Sequence, residues 1–287
     1  MRGIRKKTAA DENFPVASLL IKKELRPLVK HYYNLARLAD DIADNPRLKP
    51  QEKLLQLNDL EDIFLNLKKT RRKKWQAAVI LHEDFVKEQL DFSLVTDLFT
   101  AFRRDAENFR YQTWAQLTDY CRYSAVPVGR FMLAIHNENP ATYLPAAALC
   151  TVLQIVNHIQ DIKYDCLQLD RIYLPAEMMK EFGVAKKDLG AARETPQLRR
   201  LINFILGQMR GLLKEAALLP QILQSRRLKT EVCVILSLTN IMIKKIEKGD
   251  VLEKDIRFSR PERLLGLITG IGRALTARKK TLPGKGF

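Results

Sequence analysis

Residues Tyr32–Asp44 have the sequence YYNLARLADDIAD, and this stretch decides the fold class. It is rich in Leu and Ala and contains neither Gly nor Pro, which predicts a helix. On a helix, four charged side chains at i, i+3, i+4 and i+7 share one face: Arg37, Asp40, Asp41 and Asp44. The apolar Leu35, Leu38 and Ile42 lie roughly opposite. Three carboxylates on one face repel each other, so this face requires either a cation or exposure to water.

The composition of the whole chain agrees with a helical fold. Of its 287 residues 46% are hydrophobic, with only 12 Gly and 12 Pro, and Leu, Ala, Lys, Glu and Arg dominate. These proportions favour an all-α protein with ample material for a core. Because no Gly/Ser-rich linker divides the sequence, we expect one helical domain over residues 14–275, preceded by a flexible lead-in, 1–13, and followed by a basic tail, 276–287.

The chain carries a large excess of positive charge. It has 49 Lys and Arg against 33 Asp and Glu, for a formal net charge of +16, which indicates an anionic partner. Nucleic acid is not predicted, because the basic residues are dispersed and no recognition motif accompanies them. The one dense cluster, Lys68–Lys74, is either a solvated loop between helices or a contact with anionic lipid.

Cysteine usage and hydropathy predict the compartment. The four cysteines have neither zinc nor disulfide spacing, as is usual for reduced cysteines of cytoplasmic proteins. No apolar region follows the basic N-terminus, so a secretory signal is not predicted. The most apolar run, Val232–Ile243, is shorter than the about 20 residues that span a bilayer. We expect a soluble cytoplasmic protein, or a peripheral one on the inner face of the membrane.

Hydrophobic periodicity and the positions of Pro and Gly predict the helix boundaries. The predicted helices cover about residues 28–44, 51–67, two or three segments within 75–103, then 105–123, 124–135, 146–169, 198–219, 230–247 and 263–274. Residues 136–140 and 143–145 are predicted to form a connecting loop, and residues 183–196 a charged loop.

The helix predicted over residues 146–169 carries a second acidic face. Its polar residues are Gln154, Asn157, Asp161 and Asp165, of which the last three are spaced i, i+4 and i+8. Either acidic face is a solvated surface or a ligand set. Carboxylate and amide oxygens suit Mg²⁺, which is usually shared between a few carboxylates and substrate phosphates. Two such faces turned toward each other would grip a diphosphate and help it to leave.

Three segments resemble the motifs of the squalene and phytoene synthases, in the same order along the chain. Arg37–Asp44 looks like the first aspartate-rich motif of that family, and Tyr120–Gly129 is similar to its central tyrosine motif. Asn157–Asp165, followed by Asp170–Pro175, looks like the second aspartate-rich motif. The resemblance implies an all-α isoprenoid synthase fold, a single helical domain around a central cavity that the two acidic faces close.

The resemblance also implies roles for particular residues. The Mg²⁺ ligands would be Asp40, Asp44, Asp161 and Asp165, holding the ions on a prenyl diphosphate. The residues expected at the substrate are Ser18, Tyr33, Arg37, Gln154, Asn157 and Arg171, and Tyr120 matches the tyrosine that assists the cationic rearrangement. Without a ligand, Arg37 would pair only with nearby aspartates, Ser18 would be a helix cap, and the tyrosines would be core residues.

Within the family, Glu12–Ser18 and Ala39–Asp44 most resemble the hydroxysqualene synthase branch of the bacterial hopanoid route. That branch implies ionisation of presqualene diphosphate, rearrangement of the cation and capture by water. Gln160 stands where several relatives have Arg, which fits this branch, and NADPH is not expected because no Gly-rich dinucleotide motif is present. The alternatives are head-to-head condensation of two prenyl diphosphates, and a non-catalytic helical scaffold or membrane-surface protein.

Overall fold

The structure, a computed structural model, describes residues 21–254 and 256–277. Within these residues the regular secondary structure is entirely helical, with no β-strand. The α-helices are α1 (Arg26–Ala43), α2 (Pro50–Phe64), α3 (Gln76–Lys87), α4 (Ser93–Ala106), α5 (Trp114–Ser124), α6 (Val126–Ile135), α7 (Tyr143–Gln160), α8 (Ile162–Gln168), α9 (Ala176–Phe182), α10 (Lys186–Leu189), α11 (Pro196–Ala216), α12 (Leu219–Ile222), α13 (Arg226–Lys248) and α14 (Arg260–Thr276). The predicted all-α class is confirmed.

The core has two main parts, which meet where α4 contacts α5 and α6. The apolar side of α1 packs with α2, α3 and α4, and Leu35 and Ala39 are buried there. The second part surrounds α7, which contacts α5, α6, α11 and α13. One stretch in the described residues, Pro140–Gln160, is long and apolar enough to cross a membrane, but 61% of its apolar window is buried inside the fold, as in a core helix.

The charged loop predicted over residues 183–196 contains the short helix α10, and three predicted boundaries are also wrong. Asp105 lies near the end of α4 and does not open the next helix, which begins at Trp114. Tyr143–Pro145 forms the first turn of α7, where proline is tolerated because the first N–H groups of a helix have no partner within it. The helix predicted over residues 146–169 is interrupted at Asp161, which separates α7 from α8.

The interruption at Asp161 preserves the spacing of the second acidic face. The Asp161 N–H donates to the Asn157 carbonyl at 2.9 Å, and the Asp165 N–H donates to the Asp161 carbonyl at 2.8 Å. Both are i to i−4 bonds of the helical kind, so the three residues still follow one another at one-turn intervals. The sequence beyond α8 then turns inward at Asp170, whose φ of 54° is a left-handed conformation that Asp tolerates better than most residues.

Candidate active site

The outer part of the first acidic face is closed by an arginine from the same helix. Arg37 donates from Nη1 to Asp40 Oδ2 at 2.8 Å and from Nη2 to Asp41 Oδ1 at 2.5 Å. These are the i+3 and i+4 pairs expected on a helix surface. The Asp40 and Asp41 side chains keep 36% and 46% of their surface exposed, so a ligand could reach this face.

The pKa of the Asp40 carboxyl group is raised by burial and by a neighbouring carboxylate. Partial burial of its carboxyl group, and next the charge of Asp44, raise its pKa to about 7, even though Arg37 and Arg171 oppose the shift. Lys53, from α2, contributes a further cation here: burial and the nearby charge of Arg171 lower its pKa, while Asp44 and Asp105 raise it. The acidic face is therefore ringed by basic side chains from three segments of the chain.

Arg171 joins the two predicted motifs. Its Nη1 donates to Asp44 Oδ1 at 2.5 Å and its Nη2 to the Ala43 carbonyl at 2.9 Å, which closes the end of α1. Its backbone N–H donates to the Asp165 carbonyl at 2.9 Å, at the end of the second motif. Arg171 is only 5% exposed, and although burial alone would lower its pKa, the charges of Asp105 and Asp44 raise it. A buried cation thus lies between the two acidic segments.

A buried carboxylate, Asp105, organises the interior side of this arginine. Its Oδ2 accepts the hydroxyl hydrogen bond of Tyr120 at 2.7 Å, its Oδ1 accepts that of Tyr173 at 2.8 Å, and its carbonyl accepts from Arg171 Nε at 3.0 Å. Both carboxylate oxygens act as acceptors, as in an ionised group. Burial raises the pKa of Asp105, and burial followed by the charge of Asp105 raises the pKa of both tyrosines, so their hydroxyls stay protonated.

The two tyrosines belong to an aromatic cluster that includes an uncharged histidine. The His158 ring stacks on Tyr173 with centroids 3.6 Å apart, and Tyr111 and Tyr120 complete the cluster. Burial, and next the charge of Arg171, lower the pKa of His158 to about 3, so its ring is neutral at physiological pH. Gln154 Nε2 lies 3.2 Å from His158 Nε2, which ties the first residue of the second acidic face to this cluster.

The remaining predicted residues lie on the helices that carry the two acidic faces. Tyr33 is half-buried on α1 one turn before Arg37; Asn157 and Asp161 are half-buried near the end of α7, and Asp165 is buried on α8. Ser18 lies outside the described residues. Nothing in the sequence indicated Lys53 or Asp105 as parts of the site, because each reaches it through the packing of a different segment. Tyr173 belongs to the second motif, but no role at the site was predicted for it.

The chemistry of the first acidic face fits Mg²⁺. Asp40 and Asp44 offer carboxylate oxygens one turn apart, and a cation between them would relieve the repulsion that, after burial, raises the pKa of Asp40. No group of three or more His, Cys, Asp or Glu side chains converges as a ligand set in residues 21–254 and 256–277. Mg²⁺ commonly binds to one or two carboxylates and completes its shell with water and substrate phosphate, so two aspartates are a sufficient protein contribution.

Comparison with known proteins decides the family. The sequence model described as squalene/phytoene synthase matches residues 7–262. The chain belongs to the squalene/phytoene synthase family. The resemblance predicted from the three motifs is confirmed. The residues that the motifs picked out therefore lie in an enzyme of this family, and prenyl diphosphates are the substrates that the family implies.

Individual relatives and solved structures refine this result. The chain is 37% identical to a hydroxysqualene synthase of Zymomonas mobilis, over 92% of this chain and 88% of that protein. It is 36% identical to one of Sinorhizobium fredii, over 96% and 92%. The structure of squalene synthase HpnC from Alicyclobacillus acidocaldarius matches with a TM-score of 0.69 at 31% identity, over 81% of this chain and 87% of that one. A dehydrosqualene synthase structure has a TM-score of 0.73 at 24% identity, over 92% of each chain.

This member of the squalene/phytoene synthase family is an enzyme of the hydroxysqualene synthase-like kind, with the isoprenoid synthase fold. Its Gln160, the departure noted in the sequence, points toward the C-terminal part of the fold: Nε2 donates to the Ile256 carbonyl at 2.5 Å and contacts Met242 Sδ at 3.3 Å. The Gln160 amide can bind the Ile256 carbonyl without adding another charge near the second acidic face.

Proposed function

We propose that this chain converts presqualene diphosphate to hydroxysqualene. The similarity to hydroxysqualene synthases over more than nine tenths of the chain supports the choice of reaction. The observation that carries the mechanism is the position of Arg171, which links the acidic face to a buried aromatic cluster. The acidic face, which would bind the diphosphate through metal ions, thus adjoins an aromatic cluster that can stabilise a carbocation.

The diphosphate end of the substrate would meet the acidic face. Asp40 and Asp44 would hold Mg²⁺, with Asp161 and Asp165 as the proposed ligands on the opposite side. When bound, the metal would neutralise the diphosphate and favour its departure. Arg37, a bidentate donor now satisfied by Asp40 and Asp41, would turn its guanidinium to the phosphate oxygens.

The aromatic cluster suits the cation that remains after the diphosphate leaves. Tyr120 and Tyr173 donate their hydrogens to Asp105, which leaves the phenolic oxygens and ring faces electron-rich. Because their pKa values are raised, the tyrosines do not ionise and cannot trap the cation as phenolates. A neutral His158 beside them adds no repelling charge.

The proposed reaction is balanced without a reductant. The carbon–oxygen bond to the diphosphate breaks and its electron pair leaves with the diphosphate. The rearranged cation then forms a bond to the oxygen of water, which releases one proton. No hydride is consumed, so NADPH is not required.

Product analysis in labelled water tests this proposal. Purified protein with Mg²⁺ and presqualene diphosphate should give hydroxysqualene, and in H₂¹⁸O the product should gain two mass units by gas chromatography–mass spectrometry. Consumption of farnesyl diphosphate with presqualene diphosphate left untouched would show the head-to-head condensation instead. Absence of turnover of either substrate would favour a non-catalytic protein.

A matched pair of variants separates the metal-binding face from the aromatic cluster. Asp40→Asn should abolish ionisation, measured as diphosphate release. Asp105→Asn removes the charge that orders both tyrosines, so we expect diphosphate release to continue while hydroxysqualene falls about tenfold or more and other hydrocarbons rise. An unchanged product distribution in Asp105→Asn would show that the tyrosine–carboxylate network is only structural.

A further inference from the structure

The last described helix, α14, presents an apolar face to the outside of the molecule. Its exposed aliphatic side chains, between 39% and 83% accessible, are Leu264, Leu265, Leu267, Ile268, Ile271 and Leu275. At 100° per residue they occupy one side of the helix. Six large aliphatic residues side by side form a contiguous patch of the kind that marks an interaction surface rather than scattered surface residues.

The opposite side of α14 is built to lie close to α13. Gly266 and Gly270 are the buried residues of the helix. A Cβ added at Gly266 would collide with the Leu238 side chain, and one at Gly270 would collide with the backbone of Val234. The glycine side therefore fixes which face of α14 meets the protein, and it leaves the aliphatic side facing outward.

Polar contacts hold α14 at both ends. Ser259 caps its first turn with Glu262, and Lys245 donates to Glu262 Oε2 at 2.8 Å. At the other end Lys229 donates to the Ala277 carbonyl at 2.7 Å. A helix fixed in this way cannot roll its aliphatic side chains into the core, so their exposure is a property of the fold.

The charges around this face identify its partner. Residues 256–277 contain four arginines and one acidic residue, Glu262, whose carboxylate is engaged by Lys245. Arg260 and Arg263 lie at the start of the helix and are exposed, whereas Arg273 lies on the glycine side, where its charge acts on Cys233 of α13. We propose that α14 docks on an anionic lipid bilayer, with its aliphatic side chains in the boundary between headgroups and acyl chains and with Arg260 and Arg263 at the headgroup phosphates.

A second copy of this chain fits the same face less well. Two copies paired through α14 would bring arginines of equal charge together, which costs energy in an interface. An anionic bilayer instead satisfies the apolar face and the arginines at once, and the overall net charge of +16 draws the whole molecule toward it. The apolar area supplies the part of the affinity that salt does not screen.

Vesicle flotation tests the docking surface independently of catalysis. The full chain should float with vesicles of phosphatidylcholine and phosphatidylglycerol and bind less well to phosphatidylcholine alone. Leu264→Gln with Ile268→Gln should weaken binding at least about tenfold, because each glutamine removes a buried aliphatic contact. The control, Leu144→Gln, changes a leucine at the start of α7 that is more exposed (77%) than Leu264 or Ile268, and it should bind as the wild type. Circular dichroism checks that all variants are folded.

Charge variants and oligomeric state complete the test. Arg260→Gln with Arg263→Gln should lower affinity for the anionic vesicles about tenfold and reduce its salt dependence. The proposal is overturned if wild type binds neutral and anionic vesicles alike, or if the glutamine variants of Leu264 and Ile268 bind as tightly as wild type. A wild-type dimer that these two substitutions dissociate, with vesicle binding unchanged, would assign the face to a second copy.

Discussion

Two arginines serve the same aspartate-rich helix in different ways. Arg37 comes from within α1 and pairs with Asp40 and Asp41 at its surface. Arg171 arrives from the segment after α8, is buried, and pairs with Asp44 while it also binds two carbonyls. The first contact is available to a helix on its own, whereas the second exists only in the folded chain.

The two arginines differ in whether a ligand can replace their aspartate partners: those of Arg37 can be replaced, and that of Arg171 cannot. The partners of Arg37 are half-exposed, so water or a phosphate can replace them at little cost. Removing Arg171 would leave Asp44 without its cation and Asp105 without a compensating charge in the interior. We therefore propose that Arg37 captures the substrate and that Arg171 positions the two acidic segments.

The largest effect is expected for Arg171→Met. The substitution supplies an apolar side chain of similar length but leaves the half-buried Asp44 and the buried Asp105 without a compensating cation, so the free energy of unfolding should fall by about 3–5 kcal/mol. Urea unfolding followed by circular dichroism measures it. In the double variant with Asp44→Asn the loss should be smaller than the sum of the two single losses. A loss below about 1 kcal/mol for Arg171→Met would mean that the interior does not depend on this cation.

An intermediate effect is expected in the pH dependence of stability. Because the pKa of Asp40 is raised from 3.8 to about 7, the folded chain holds a proton that the unfolded chain has already released. The contribution of Asp40 to stability is complete below about pH 4 and is lost as the pH rises to about 7. In Asp40→Asn the melting temperature should therefore decline less between pH 4 and 7 than it does in the wild type.

Magnesium sharpens the same measurement. A bound cation favours ionised Asp40, so Mg²⁺ should also flatten the decline, whereas NaCl of equal ionic strength should not. If Asp40→Asn leaves the pH profile of the melting temperature unchanged, another group causes the decline. If Mg²⁺ leaves that profile unchanged, metal does not bind at this face.

The smallest effect on stability is expected for Arg37→Gln. Pairs of this kind on a helix surface contribute about 0.2–0.5 kcal/mol each, so the melting temperature should hardly move. The KM for the diphosphate substrate should nevertheless rise, because a phosphate ligand is lost. A destabilisation as large as that of Arg171→Met would remove the distinction between the two arginines.

The local features of this protein could be predicted from the sequence. The helix containing Arg37 and Asp44 was predicted within two residues of its observed bounds, because helical periodicity depends on near neighbours. The interruption at Asp161 could not be predicted because the residues on both sides of it favour a helix. The residue just before it, Gln160, binds the distant Ile256 carbonyl, and local sequence carries no signal for such a contact.

The sequence by itself determined that α1 would carry an acidic face and an apolar back, since side-chain spacing fixes which residues share a side of a helix. Only the tertiary structure decided that Asp44 would receive Arg171, 127 positions later, and that Asp105 would bind Tyr120 and Tyr173. Such partners depend on how distant segments pack, and a single sequence carries no periodic signal for contacts of that range.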